Sequence, residues 1–105
     1  MFVHTVYFWL KNDLGQAEME EFVQRLNALA TIESVERCYI GRPASTRREV
    51  IDHSYSYALV ALFPDERAHD AYQRHPTHDE FREACASFWT RVQVYDSVGL
   101  ELFTK

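Results

Sequence analysis

Apolar residues along this chain recur with two periods, and the points where one gives way to the other mark its elements. From Phe2 to Leu10 the period is two. Phe2, His4, Val6, Phe8 and Leu10 share one face of a predicted strand, and Val3, Thr5, Tyr7 and Trp9 share the other. Both faces are largely apolar or aromatic. An open sheet with helices on one side alone leaves its other face wet and polar. The pattern therefore predicts two covered faces, one under the chain's own helices and one under a second subunit.

Asn12 to Gly15 interrupts the strand. From Gln16 to about Ala30 the period becomes helical, with Met19, Phe22, Val23, Leu26 and Ala30 on one stripe. Glu18, Glu20, Glu21, Gln24 and Arg25 face outward. Ser34 to Ile40 reads as a second strand ended by Gly41 and Pro43, followed by a polar loop from Arg42 to His53. Tyr55 to Phe63 is a third strand, with Tyr55, Tyr57, Leu59, Ala61 and Phe63 on one face and Ala58, Val60 and Leu62 on the other. Two apolar faces mark it as interior to the sheet.

Pro64 and Asp65 turn the chain into a short helix running to about Arg74, with Ala68, Ala71, Tyr72 and His75 facing inward. His75 precedes Pro76 and is pushed out of the helical region. Pro76 suits the first position of a new helix, although Thr77 and Glu80 could form a capping box that starts it one residue later. Phe81, Ala84, Cys85, Phe88 and Trp89 make its stripe. Thr90 to Val98 is the last strand, and Leu100 to Lys105 a tail. The order β-α-β-β-α-β predicts an α+β, ferredoxin-like subunit with an antiparallel four-stranded sheet. Its second crossover is split into two helical pieces.

The 105 residues suffice for a single domain, 1–105. A domain of this size buries roughly 60–70% of its unfolded surface, so pairing with a second copy would help it. A net charge of −5 argues against a nucleic-acid partner. The one basic cluster, Arg42, Arg47 and Arg48, is offset by Glu49 and Asp52 and reads as a solvated loop. No apolar run is long enough to span a membrane, and the first residues lack a signal-peptide pattern. Cys38 and Cys85 have neither CxxC nor metal-type spacing and read as small hydrophobes. Nothing suggests an oxidising compartment, which places the protein in the cytoplasm.

The candidate chemistry lies in the segment from Asp52 to His78. His78 falls in the first turn of the last helix, where the helix dipole disfavours positive charge. A neutral imidazole there can accept a proton. Tyr72 ends the preceding helical piece, and the Pro break can fold the two side chains toward one spot. A phenol so placed can donate a hydrogen bond to a carbonyl oxygen gaining charge. His4 and Tyr57 are polar tips on strand faces expected to meet the helices, and with Tyr72 and His78 they would line a small-molecule pocket. The competing reading is that all four fill the core. His69, His75 and His78 raise the question of a metal. His75 and His78 straddle Pro76, however, and so do not form the same-face helical pair of a zinc site. No metal and no cofactor is expected. No Gly-rich phosphate loop, GxSxG or Cys–His nucleophile arrangement is present.

HTVYFWLK in the first strand, DHSYSYALVALF in the third, the AYQRHPTHDEF segment and the closing VQVYDSV resemble the stress-responsive α/β-barrel domain (Dabb) family over nearly the whole chain. The resemblance implies a subunit that pairs sheet to sheet into a homodimeric α+β barrel. One branch, the plant olivetolic acid cyclase type, closes a linear polyketide by intramolecular aldol condensation with a Tyr–His acid–base pair. That pair falls here on Tyr72 and His78, and a first-strand His falls on His4. The branch carries a second pocket His where this chain has Tyr57, and a Tyr in the first helix where this chain has Leu26. The candidate catalytic residues are therefore His78 and Tyr72, and the candidate substrate contacts are His4, Tyr57, Leu26 and His75.

Three functions remain open. The first is a cofactor-independent enzyme or binder for a small hydrophobic carbonyl compound. The second is a non-catalytic, stress-associated dimer. The third is a relative of the small dimeric monooxygenases that act on quinones or haem.

Overall fold

The computed structural model describes residues 1–99 and 103. The tail, except for Phe103, lies outside the described residues. The elements follow the order β1 (Phe2–Leu10), α1 (Gln16–Leu29), β2 (Arg37–Gly41), β3 (Tyr57–Phe63), α2 (Glu66–Gln73), α3 (Pro76–Cys85), a 3-10 turn (Ala86–Phe88) and β4 (Trp89–Val98). The strands form one sheet in the order β2-β3-β1-β4, and every neighbouring pair is antiparallel. This is the ferredoxin-like arrangement.

The period-two pattern of β1 is realised as read. Phe2, His4, Val6 and Phe8 are buried beneath the helices, next to Leu59, Ala61 and Phe63 of β3. Helix α1 starts where the Glu18 carboxylate accepts the Gly15 N–H at 2.9 Å, and it buries Phe22, Leu26 and Leu29. These side chains, with Ile32, Tyr72, Phe81, Cys85 and Phe88, form one core. Cys85 is buried and Cys38 half-buried, and burial pushes both thiols above their usual range. That agrees with their reading as small hydrophobes.

Two strand starts differ from the sequence expectation by more than one residue, and one of the two starts open to the last helix is settled. Strand β2 begins at Arg37 rather than Ser34, because the Val35 N–H turns back to the Ile32 carbonyl at 3.0 Å. The chain joins the sheet only at Glu36, whose N–H reaches the Leu62 carbonyl at 2.9 Å. Strand β3 begins at Tyr57, because the Ser56 hydroxyl oxygen accepts the Leu10 N–H at 2.9 Å in place of a ladder carbonyl. Tyr55 therefore leaves the alternation. It packs against Tyr7 (4.9 Å between ring centroids) and Trp9 (6.5 Å) on the face opposite Leu59. Helix α3 starts at Pro76, not by a Thr77 capping box; its N-cap is His75, whose Nδ1 accepts the Thr77 N–H at 3.0 Å.

The helices cover one side of the sheet unevenly. They bury the inner face of β1 and β3, but on the edge strand β4 the inward Val92 and Val94 remain 41% and 42% exposed. This uncovered strip opens the wedge that holds the site. The other side of the sheet carries Val3, Thr5, Tyr7, Trp9, Val60 and Leu62, all half-buried. Tyr95 and Tyr39 stand exposed on it, and the Arg91 guanidinium lies 4.3 Å over the Trp9 ring.

Candidate active site

A cavity of about 190 Å³ lies between α3 and the inner face of β4. Its walls are apolar: Val6, Phe8, Leu29, Leu59, Phe81, Trp89, Val92 and Val94. Its polar groups are His4, Tyr72, Gln73, His78 and Arg82. Each polar group is delivered by backbone already explained. His4 rides on the inward register of β1. Tyr72 and Gln73 close α2. The Pro76 break then turns the chain so that His78, in the first turn of α3, faces back toward Tyr72.

The rings form a continuous contact. The Tyr72 and His78 centroids are 5.0 Å apart with planes inclined at 68°. Tyr72 meets His4 at 5.8 Å, and His4 meets His69 at 5.1 Å. Tyr72 is buried, and desolvation pushes its phenol well above the usual range, so it remains a proton donor at neutral pH. His78 is held below 6.5, chiefly by desolvation and then by the Arg82 guanidinium one turn on. Burial, rather than the helix terminus alone, keeps this imidazole neutral. Its Nδ1 is buried with no hydrogen-bond partner among the described residues. A polar atom left in that state costs about 1–3 kcal/mol and is suited to meeting a ligand. His4 is also held low by burial, against the opposing pull of Asp96, whose Oδ1 lies 2.6 Å from His4 Nδ1.

Of the residues expected at the pocket, the structure brings together His4, Tyr72 and His78. Tyr57 lies elsewhere. It packs against Phe22 at 5.6 Å and lines a separate, open depression of about 600 Å³ with Lys11 and Arg42. Leu26 is fully buried in the core and lines neither space. His75 is spent on the N-cap of α3, with its Nε2 3.3 Å from the Glu33 carboxylate. Its ring therefore points away from the cavity residues that flank it in sequence.

Asp96, Gln73 and Arg82 escaped the sequence reading as site residues, and His69 entered it only as a metal candidate beside His75 and His78. Asp96 carried a signal. It continues the inward series Val92, Val94, Asp96, Val98, and a carboxylate in an apolar row needs a partner. Seeing that the partner is His4 requires the β1–β4 register, which pairs them.

Fold and site together define a ferredoxin-like α+β subunit with a small apolar cavity and a clustered Tyr–His pair. The chain belongs to the stress responsive A/B barrel domain family, whose model matches residues 2–98. It is 22% identical to an olivetolic acid cyclase of Cannabis sativa over 94 residues, covering 89% of this chain and 91% of that protein. Among solved structures, a hydroxynitrile lyase from Passiflora edulis superposes with a TM-score of 0.76 at 16% identity, covering 98% of this chain and 96% of that one. A dimeric ferredoxin-like protein of unknown function from Thermobifida fusca gives 0.72 at 21% identity, covering 91% and 88%.

Proposed function

We propose that this protein is a homodimeric, acid–base enzyme for a small hydrophobic carbonyl compound, with His78 as base and Tyr72 as hydrogen-bond donor. The observation that carries the reading is the placement of Tyr72 against His78 at the wall of an apolar cavity, with the buried His78 Nδ1 unpartnered among the described residues. A C–H bond beside a carbonyl is weakly acidic. An imidazole nitrogen takes that proton, the C–H electron pair becomes the enolate π bond, and the developing oxyanion accepts a hydrogen bond from the Tyr72 hydroxyl. The enolate then attacks a second carbonyl carbon, and the His78 imidazolium returns the proton to the product. A sequence relative and a fold neighbour carry the names of a cyclase and a lyase, in keeping with chemistry at a carbonyl or its adduct. At about 190 Å³ the cavity is smaller than the roughly 300–1,000 Å³ of a drug-sized pocket. That favours a compact reacting end, with any longer chain leaving over the exposed Val92 and Val94.

Homodimerisation through the Tyr7–Trp9 face is part of the proposal. The aromatic cluster there is large and uncovered, and a fold relative is described as dimeric.

The test is solvent exchange. Incubated in deuterated buffer with a panel of small apolar ketones and β-dicarbonyl compounds, the protein should speed loss of the α-proton NMR signal for at least one of them. His78→Ala should remove about 10²–10⁴-fold of that acceleration. Acceleration that survives His78→Ala in full, or none for any compound, would overturn the assignment.

A further inference from the structure

Behind the His4 wall of the cavity, three side chains from three elements converge. His4 comes from the middle of β1, His69 from the middle of α2, and Asp96 from the edge strand β4. One ligand atom from each lies within 4.8 Å of the other two. From this juxtaposition we infer a binding site for a divalent transition-metal ion of the zinc type, held by His4, His69 and Asp96.

The donor set fits the chemistry. Two imidazoles and one carboxylate suit Zn²⁺, Co²⁺ or Fe²⁺, rather than Mg²⁺ or Ca²⁺, which take oxygen. Three protein ligands leave at least one coordination position open, as in sites that meet a substrate or water. Metal–ligand bonds of about 2.0–2.2 Å place ligand atoms roughly 3.3–3.6 Å apart in a tetrahedron. His4 Nδ1 and Asp96 Oδ1, now 2.6 Å apart in a hydrogen bond, give up the proton between them and part to that spacing, while wider separations within the 4.8 Å limit close to it. Asp96 can supply its share of the movement, because its side chain is 38% exposed while that of His4 is 4% exposed.

The surroundings support the ligands as well. His69 Nδ1 lies 3.3 Å from the Asp70 carboxylate, the carboxylate–imidazole pairing that orients metal-bound histidines. That pairing leaves Nε2 as the ligating nitrogen, and an ion there displaces the Gln73 amide, whose Nε2 lies 3.4 Å from it. The His69 ring is stacked on Phe2 at 4.3 Å, which holds its plane toward His4. A plain His4–Asp96 hydrogen bond would need no second imidazole beside it. The exposed edge of β4 gives an ion access from solvent. His78 is not among the three ligands, so the site stands or falls independently of the Tyr72–His78 chemistry.

The experiment uses the full chain, stripped with chelator and dialysed. Zn²⁺ is titrated calorimetrically, and Co²⁺ is titrated by its visible absorption bands. The expected result is one ion per subunit with bands of low-symmetry, nitrogen- and oxygen-ligated Co²⁺. His69→Ala and Asp96→Asn should each weaken Zn²⁺ binding by about 100-fold and abolish the bands, while His78→Ala leaves both unchanged. Asp96→Asn is nearly isosteric at a part-exposed position, so its result reads binding rather than folding. No stoichiometric binding by the wild type, or binding unmoved by both His69→Ala and Asp96→Asn, would overturn the inference.

Discussion

Tyr72 and His78 meet edge to face across the Pro76 break, their ring centroids 5.0 Å apart. Neither helix could achieve this alone. Residues six apart on one continuous helix project to different faces, and it is the His75–Pro76 junction that folds them together. His75 makes the junction firm by accepting the Thr77 N–H into its own ring. The break is thus the device that converts a linear HPTH segment into a paired acid and base.

Removing the Tyr72 hydroxyl tests that pairing with little structural disturbance. Tyr72→Phe keeps the ring that packs on Phe63 and His4 and deletes one donor. Turnover of any carbonyl substrate should fall about 10²–10³-fold, the range for loss of one donor to a developing oxyanion, with KM changed far less than kcat. Steady-state kinetics on both proteins read the split. An unchanged kcat would assign Tyr72 to the core alone.

The His78 environment fixes the sign of a pH effect. Its ring is desolvated and faces Arg82 and Asp79 of its own helix, His4 of β1, and His69 and Tyr72 of α2. The net push is downward from 6.5, so the folded protein holds the neutral form below the pH at which an unfolded histidine protonates. His78 therefore contributes full stability above pH 6.5 and loses it as pH falls through the folded value. Base activity should be flat at neutral pH and decline on the acid side below 6.5. NMR titration of the His78 ring in chelator-treated protein gives the midpoint directly; a midpoint at or above 6.5 would contradict the desolvated placement.

The pattern of hydrophobic positions carried most of the fold, because β1, α1 and the core of β3 obey simple periods. What it could not carry were the places where a side chain stands in for backbone. The Ser56 hydroxyl at Leu10 cuts β3 short and sends Tyr55 to the opposite face, and the His75 ring serves as an N-cap that residue preferences do not anticipate. The Tyr72–His78 pairing was legible from Pro76 and from family resemblance. Asp96 and His69 were not, because their proximity to His4 depends on strand register and on the angle at which α2 crosses β1. The same dependence explains why Tyr57 and Leu26 stand apart from the cavity. Both sit on the helix-covered side, but Phe22 packs between Tyr57 and the Phe8–Phe81 wall.

Leu26 offers a stability test with a functional control. It is fully buried, without lining the cavity. Leu26→Ala should cost about 2–5 kcal/mol of unfolding free energy, the range for a buried leucine, measured by urea denaturation. Ligand affinity below the transition should stay as in the wild type. A selective loss of affinity with stability intact would return Leu26 to the pocket wall.

His75 separates capping from substrate contact in the same way. His75→Ala removes the acceptor for the Thr77 N–H and the approach to Glu33, at a cost of about 0.5–2 kcal/mol typical of a lost N-cap. His75→Asp restores a strong capping oxygen and should recover most of that loss. A substrate-contacting histidine would behave otherwise, with activity lost in both variants whatever the stability.

The uncovered sheet face supplies the last test. Tyr7 packs between Tyr55 at 4.9 Å and Tyr95 at 6.4 Å, and Trp9 carries Arg91 over its ring. A carboxylate introduced at Tyr7 would be unpaired and desolvated in a subunit interface, a penalty of several kcal/mol counted once on each side of a symmetric pair. On an isolated subunit it would remain near water and cost little. Tyr7→Asp should therefore shift the protein from dimer to monomer in sedimentation velocity, or leave it insoluble, while Asp substitution at the exposed, loop-borne Val50 changes neither. A Tyr7→Asp protein that sediments as the wild-type dimer would place the subunit interface on some other surface.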